Sequence, residues 1–190
     1  MMKRIISRSL VTVIVLACGL QAQTLKKITS IDLPGPKGQR FDYLTMDDED
    51  HWLLSAHLGP GILYVIDVQT NKLVKAIPGV PGITGLEYVP GLRKVYTSDW
   101  GEEKIGVVSL KSMNVVKRLD TAAKPNGSTY AAGFHKMYVA DTLGKAVAVV
   151  DVDKDETIKT LSFKSETGMP QYDSVAKRVY VNLRNTNEVA

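Results

Sequence analysis

KVYTSD (94–99) and KMYVAD (136–141) decide how this chain folds. Each opens on Lys, carries Tyr two residues later and closes on Asp. Tyr96 and Tyr138 stand 42 residues apart, as do Asp99 and Asp141. The same step forward from Tyr138 reaches Tyr180 in RVYVNL (178–183), and the step back from Tyr96 reaches Leu54 in WLLSAH (52–57). Other series keep the register: Tyr88, Tyr130 and Tyr172; Asp67, Ser109 and Asp151, each after a β-branched residue; Lys75, Lys117 and Lys159; Ile77, Leu119 and Leu161. Agreement of that many series without a slip marks an internal repeat. Its period falls in the range of solenoids, propellers and arrays.

The content of one unit narrows the choice. STYAAGF (128–134), MYVAD (137–141), AVAVVDV (146–152) and TIKTLSF (157–163) are short, β-rich runs parted by turns such as TLGK (142–145) and DKDE (153–156). After position 24 no long window joins a helical period to helix caps. Four short strands in about 40–45 residues make a β-propeller blade. The expected fold is all-β, with blades at about 40–81, 82–125, 126–166 and a partial fourth at 167–190. KKITSIDLPG (26–35) ends like LVKAIPG (73–79) and reads as an outer strand prepared to complete a final blade that this stretch of sequence does not deliver.

YTSD (96–99), YVAD (138–141) and YVNL (180–183) resemble the tetrapeptide of the YVTN-type propeller repeats. RFDYL (40–44) and VYVNLRNTNEVA (179–190) resemble the bacterial YncE-like proteins built from such blades. The likeness runs over most of 25–190, although the first unit has LSAH (54–57) and no unit matches the motif in full. The resemblance implies an exported propeller, usually of seven blades, with no shared chemistry. On that footing the chain reads as the N-terminal portion of a longer, seven-bladed parent. A natural four-bladed ring is the alternative, and it would leave sheet edges open.

With 190 residues, 44% hydrophobic and 23% charged, the composition is that of an ordinary globular domain. The net charge of +4 owes much to Lys3, Arg4 and Arg8, which lie in a leader. Without them the balance is close to neutral, so the charge gives no footprint for a polyanion. MMKRIISRS is basic, and LVTVIVLACGL (10–20) is apolar but too short to span a bilayer. Residues 1–22 therefore read as a signal peptide and the protein as exported, periplasmic or extracellular. Cleavage after LQA (20–22) would release it, whereas VLAC (15–18) resembles a lipobox that would anchor it through acylated Cys18. Cys18 is the only cysteine, so the mature domain has no internal disulfide.

Binding residues are expected in the loops at one mouth of the channel, which share a scaffold and differ in chemistry. These are GQRFD (38–42), AHLGPG (56–61), GITG (82–85), DWGEEK (99–104), PNGS (125–128), DTLGK (141–145), GMPQ (168–171) and LRNTNE (183–188). Arg40 has the planar donor fork that suits a carboxylate or phosphate, though a pair with Asp42 is the simpler expectation. His57, Asp99 and Asp141 occupy equivalent positions, with Leu183 the fourth. They would suit a divalent cation if they converged, but Asp after a strand more often caps a turn. Trp100 could stack a sugar or base, or pack on a neighbouring blade. Asn126 and Arg184 complete the set. His51 and His135 read as turn residues, DDED (47–50) and EE (102–103) as solvated turns, and the repeated tyrosines as core.

The sequence carries no Gly-rich phosphate loop, nucleophile elbow, paired-Cys metal spacing or haem attachment motif. The leading functional expectation is a non-catalytic extracytoplasmic scaffold that binds a small molecule or protein and needs no cofactor. The alternative is a metal-dependent lactonase-like hydrolase using Asp42, Asp99, Asn126 and Asp141. Single-stranded nucleic-acid binding ranks third because the mature charge is near neutral. A quinone-dependent dehydrogenase comes last.

Overall fold

A computed structural model describes residues 25–190. The leader expected at 1–22, with both cleavage readings and Cys18, lies outside the described residues. The chain forms antiparallel meanders in strict sequence order. The first joins β1 (Leu44–Asp47), β2 (Trp52–His57), β3 (Ile62–Asp67) and β4 (Lys72–Pro78). The second joins β5 (Ile83–Val89), β6 (Lys94–Asp99), β7 (Lys104–Ser109) and β8 (Asn114–Asp120). The third joins β9 (Pro125–Ala131), β10 (Lys136–Asp141), β11 (Ala146–Asp151) and β12 (Glu156–Ser162). The fourth has β13 (Thr167–Asp173), β14 (Arg178–Leu183) and β15 (Glu188–Val189). With β1 set aside, strands of the same rank begin 42 residues apart from blade to blade.

The hydrophobic core lies between sheets. Leu54, Ala56, Leu63 and Val65 of the first sheet meet Leu86, Tyr88, Val95 and Val108 of the second. The opposite face of the second, through Tyr96, Ile105 and Val107, meets Met137, Val139, Ala148 and Val150 of the third. Val147 begins a further cluster with Val181 and Leu183 of the fourth. Because side chains alternate along a strand, Val107 and Val108 serve different interfaces. That is why the runs read as continuously apolar. Inner strands β5, β9 and β13 pack side by side while the outer strands touch little, so the sheets fan out from one axis. They are β-propeller blades, as the repeat implies.

The repeat series now have physical meanings. Asp67 and Asp151 accept backbone N–H bonds from Gln69 and Thr70 and from Asp153 and Lys154, and Ser109 takes that of Ser112. They cap the turn before each outer strand. The turns close on non-glycine residues of positive φ in repeat register, such as Asn71, Met113 and Asp155. Lys75, Lys117 and Lys159 lie exposed on the outer strands, each next to a bulge residue, and guard the edges against pairing. Ile77, Leu119 and Leu161 point inward. Of the repeated tyrosines, Tyr88 and Tyr96 are buried as expected, Tyr130, Tyr138 and Tyr172 are half-buried, and Tyr180 is exposed.

At two places the structure adds to the sequence reading. Residues 25–43 contain no strand: Pro34 and Pro36 have no N–H to give a ladder, and Gly35 (φ 115°) and Gly38 (φ 74°) turn the chain aside. Residues 31–41 instead lie across the face of the first sheet that carries His57 and Tyr64. The acidic turns are also more than solvated. Glu49 accepts from the Tyr88 hydroxyl and the Gly91 N–H, and Asp50 pairs with Arg93 of the next blade. Glu102 takes the Arg118 guanidinium, and Glu103 the Lys124 ammonium at 3.3 Å.

Candidate functional site

The loops joining blades and the turns between second and third strands share one end of the molecule and bond to each other. Trp100 N–H donates to Gly82 O at 3.1 Å and Gly101 N–H to Pro81 O at 2.9 Å. The third blade repeats the pattern with Thr142 N–H to Lys124 O and Gly144 N–H to Ala123 O. Arg184 N–H to Glu166 O continues it. This end is the mouth.

Residues 83–85, 125–128 and 168–171, expected as mouth loops, belong to inner strands β5, β9 and β13. Each strand slips register there, between Ile83 and Leu86 in β5 and between Thr167 and Pro170 in β13. A bulge shortens the pairing and turns the backbone toward its neighbour. Thr84 Oγ1 reaches Pro125 O at 3.1 Å, and a Cβ on Gly85 would overlap the Asn126 carbonyl. Asn126 thus sits in a strand bulge, half-buried between blades.

His57, Asp99 and Asp141 do not converge, because each faces a different crevice. The Phe41 ring stacks on His57 with centroids 3.9 Å apart. Burial lowers the His57 pKa, opposed by the Gln39 backbone. Asp141 accepts from the Thr121 hydroxyl and from Ala122 N–H at 3.0 Å, and burial still raises its pKa. It caps an inter-blade loop. Asp99 is fully buried with neither oxygen partnered. Its equivalents of Thr121 and Ala122 are Gly79, which has no hydroxyl, and Val80, whose N–H goes to Gly61 O. Burial pushes the Asp99 carboxyl up to about 7, against the pull of the Thr97 hydroxyl beside it. Among the described residues no three His, Cys, Asp or Glu side chains group as metal ligands do. Asp42 is held by Arg40 at 2.6 Å.

Half-buried Trp100 lies under the Lys124 ammonium, 5.6 Å from the ring centroid. Lys124 Nζ also donates to Trp100 O at 3.2 Å. Arg184 is exposed at the rim.

The fold has a solved counterpart. Kuenenia stuttgartiensis hydrazine synthase superposes with a TM-score of 0.71 at 14% identity, over 82% of this chain and 47% of that one. This chain therefore spans about half the length of that protein. At such identity the likeness concerns the fold alone, and it supports a propeller. No family model matches the chain, and neither does any curated protein.

Sequence reasoning missed three groups. Glu87, on inner strand β5, has its carboxyl raised to about 7 by burial, although the Tyr130 backbone bonds it. Thr129 takes the equivalent bond one blade on, from Tyr172 N–H at 3.3 Å. The 42-residue register links Glu87 to Thr129 and could have flagged the charge. Lys124 and Tyr64 were passed over as well. Tyr64 aligns with Gly106 and Ala148, so a large aromatic among small residues was the signal.

Proposed function

We propose that this chain is part of an exported, YVTN-type propeller scaffold that binds a small molecule or protein through its mouth, without catalysing a reaction on it. One asymmetry carries the reading. Among the described residues, most buried side-chain polar atoms without a partner are at the mouth end: His57 Nε2, Thr97 Oγ1, Ser98 Oγ, both Asp99 oxygens and Thr142 Oγ1. At the opposite end Asp47 Oδ2 and Arg93 Nε lack a partner, while Glu49, Asp67, Asp151 and Asp173 are bonded within the chain. Buried polar atoms are ordinarily satisfied, so an excess at one end favours that end as the ligand side. The repeat tetrapeptides and the apolar leader core support the family and the compartment.

Amide NMR tests the binding side. A panel of small carboxylates, amines, sugars and short peptides is titrated into the folded chain. Shifts gathered at Thr84–Gly85, Trp100–Glu103, Asn126–Gly127 and Thr142–Lys145 support the mouth. Shifts gathered at the opposite turns overturn it. Turnover of any panel member that is lost in Asp99→Asn overturns the non-catalytic part. Fractionation of cells expressing the full chain tests export, and a protein kept in the cytoplasm with its leader uncleaved overturns that part.

A further inference from the structure

Successive crevices between blades differ at one position. Residues 76, 118 and 160 are equivalent in the repeat and are Ala, Arg and Thr. Arg118 leans from β8 into the crevice toward the first blade, where its guanidinium donates to Gly79 O and pairs with Glu102 at 2.7 Å. One blade on, the register sets Thr160 against Thr121, with Gly144 in the place of Glu102. Thr160 has no guanidinium to span to the Thr121 carbonyl. A cavity of about 510 Å³ lies there, bordered by Leu119, Thr121, Ala122, Glu156, Thr157 and Thr160. The blades on both sides of it have all four strands, and the Thr157 hydroxyl crosses between them to Asp120 O at 3.0 Å. The cavity is the preceding crevice without its arginine.

We propose that this crevice takes an arginine side chain of a partner polypeptide. Its guanidinium donates to Thr121 O, and Glu156 supplies the negative charge that Glu102 supplies to Arg118. The charges at the border agree with this. Lys104 and Lys94 hold Asp120 and Asp155, which leaves Glu156 to meet a ligand. The bordering cations are directed elsewhere: Lys117 Nζ donates to Lys154 O at 3.5 Å, and the Arg118 guanidinium is engaged in the preceding crevice. A planar fork of donors suits a carbonyl beside a carboxylate better than a compact ammonium does. Glu156 and Thr160 are exposed, so the groove is open-sided. Small-molecule sites enclose most of their ligand, and an open groove does not. A polypeptide holds its arginine in place with contacts on either side. The site lies between outer strands β8 and β12, away from the channel axis. It goes beyond the proposed mouth binding and does not depend on it.

The full chain is titrated with the end-blocked peptide Gly-Arg-Gly, its citrulline counterpart and free argininamide, and amide shifts are followed by NMR. The arginine peptide should shift Thr121, Ala122, Thr157 and Thr160. The citrulline peptide has the same shape without the charge and should bind about tenfold more weakly, the scale of one charge-assisted hydrogen bond. Thr160→Arg supplies the missing guanidinium from within and should abolish binding, whereas Thr160→Val keeps the cavity and should retain it. Glu156→Gln should weaken the arginine peptide by a factor similar to citrulline. Arg118→Met empties the preceding crevice and should add a second set of shifts at Gly79 and Glu102. Equal affinity for the arginine and citrulline peptides, undiminished binding by Thr160→Arg, or no shift at millimolar peptide would overturn the inference. Argininamide bound as tightly as the peptide would overturn the polypeptide as the partner. Shifts confined to Trp100 and Thr142 would overturn the crevice site and leave the proposed function standing.

Discussion

Asp99 and Asp141 occupy one position in successive blades, and only Asp141 has partners. Gly79 and Val80 replace the Thr121 and Ala122 that hold Asp141, so the same side chain is a cap in one crevice and a buried, unpaired acid in the next. Asp141→Ala strands the Ala122 N–H and should cost about 1–3 kcal/mol. Asp99 should respond with the opposite sign. Its folded pKa, about 7, lies above its ordinary 3.8, so the folded state holds the proton more tightly. The stability this group contributes is complete below about pH 4 and lost as pH rises to about 7. Asp99→Asn should match wild type near pH 4 and exceed it at pH 8 by about 1–3 kcal/mol. Urea unfolding at the two pH values measures both. A variant less stable than wild type at pH 8 would show that the carboxylate is paired after all.

At Gly85 inner strand β5 comes close to β9, with the Asn126 carbonyl where a Cβ would stand. Backbone cannot swing aside as a side chain can, so Gly85→Ala should cost about 3 kcal/mol. Gly38 has positive φ but nothing within 4 Å. Gly38→Ala should cost only the backbone term, about 1 kcal/mol. Thermal denaturation of the pair separates packing from backbone strain. Similar losses in both would mean that β5 and β9 are not held as described.

The blades were legible because their causes are local and recur. Asp67 and Asp151 cap turns, and Ile77 and Leu119 point inward, in every copy for one reason. The site was legible only in part. Trp100 stood out as a rare aromatic in a polar turn. The separation of His57, Asp99 and Asp141 was hidden, because equal sequence position gives equal direction within a blade and each blade is turned from the last. The path of 31–41 was hidden too. It depends on Tyr64 and Phe41, which break the repeat, and periodicity says nothing about its own exceptions.

Tyr88 and Glu49 couple the first two blades at the end away from the mouth. The hydroxyl bond, then the Gly91 N–H, draws the Glu49 carboxyl below its ordinary range, so the charged form favours folding. That contribution is present above the ordinary carboxyl pKa and fades as pH falls through the lowered value. Tyr88→Phe and Glu49→Gln should each lower the urea midpoint at pH 7. The double variant should lose less than the two together, since both remove one bond. Full additivity would show that the residues act apart.

Trp52 and Trp100 are the only tryptophans; Trp52 opens β2 and Trp100 follows β6, so they mark opposite ends of equivalent strands in successive blades, each below a cation. Arg93 lies 5.5 Å from the Trp52 centroid and Lys124 lies 5.6 Å from that of Trp100. Trp52→Phe leaves Trp100 as a reporter of the mouth, and Trp100→Phe leaves Trp52 as a reporter of the other end. A ligand at the mouth displaces Lys124 or water from the Trp100 face and should change emission in the first variant while leaving the second silent. Lys124→Met removes the cation at nearly constant length and should shift Trp100 emission without ligand. The assignment fails if a ligand found by amide shifts moves Trp52 emission and leaves Trp100 unchanged. The binding surface would then lie among the partnered turns, and the unpartnered atoms at the mouth would need another cause.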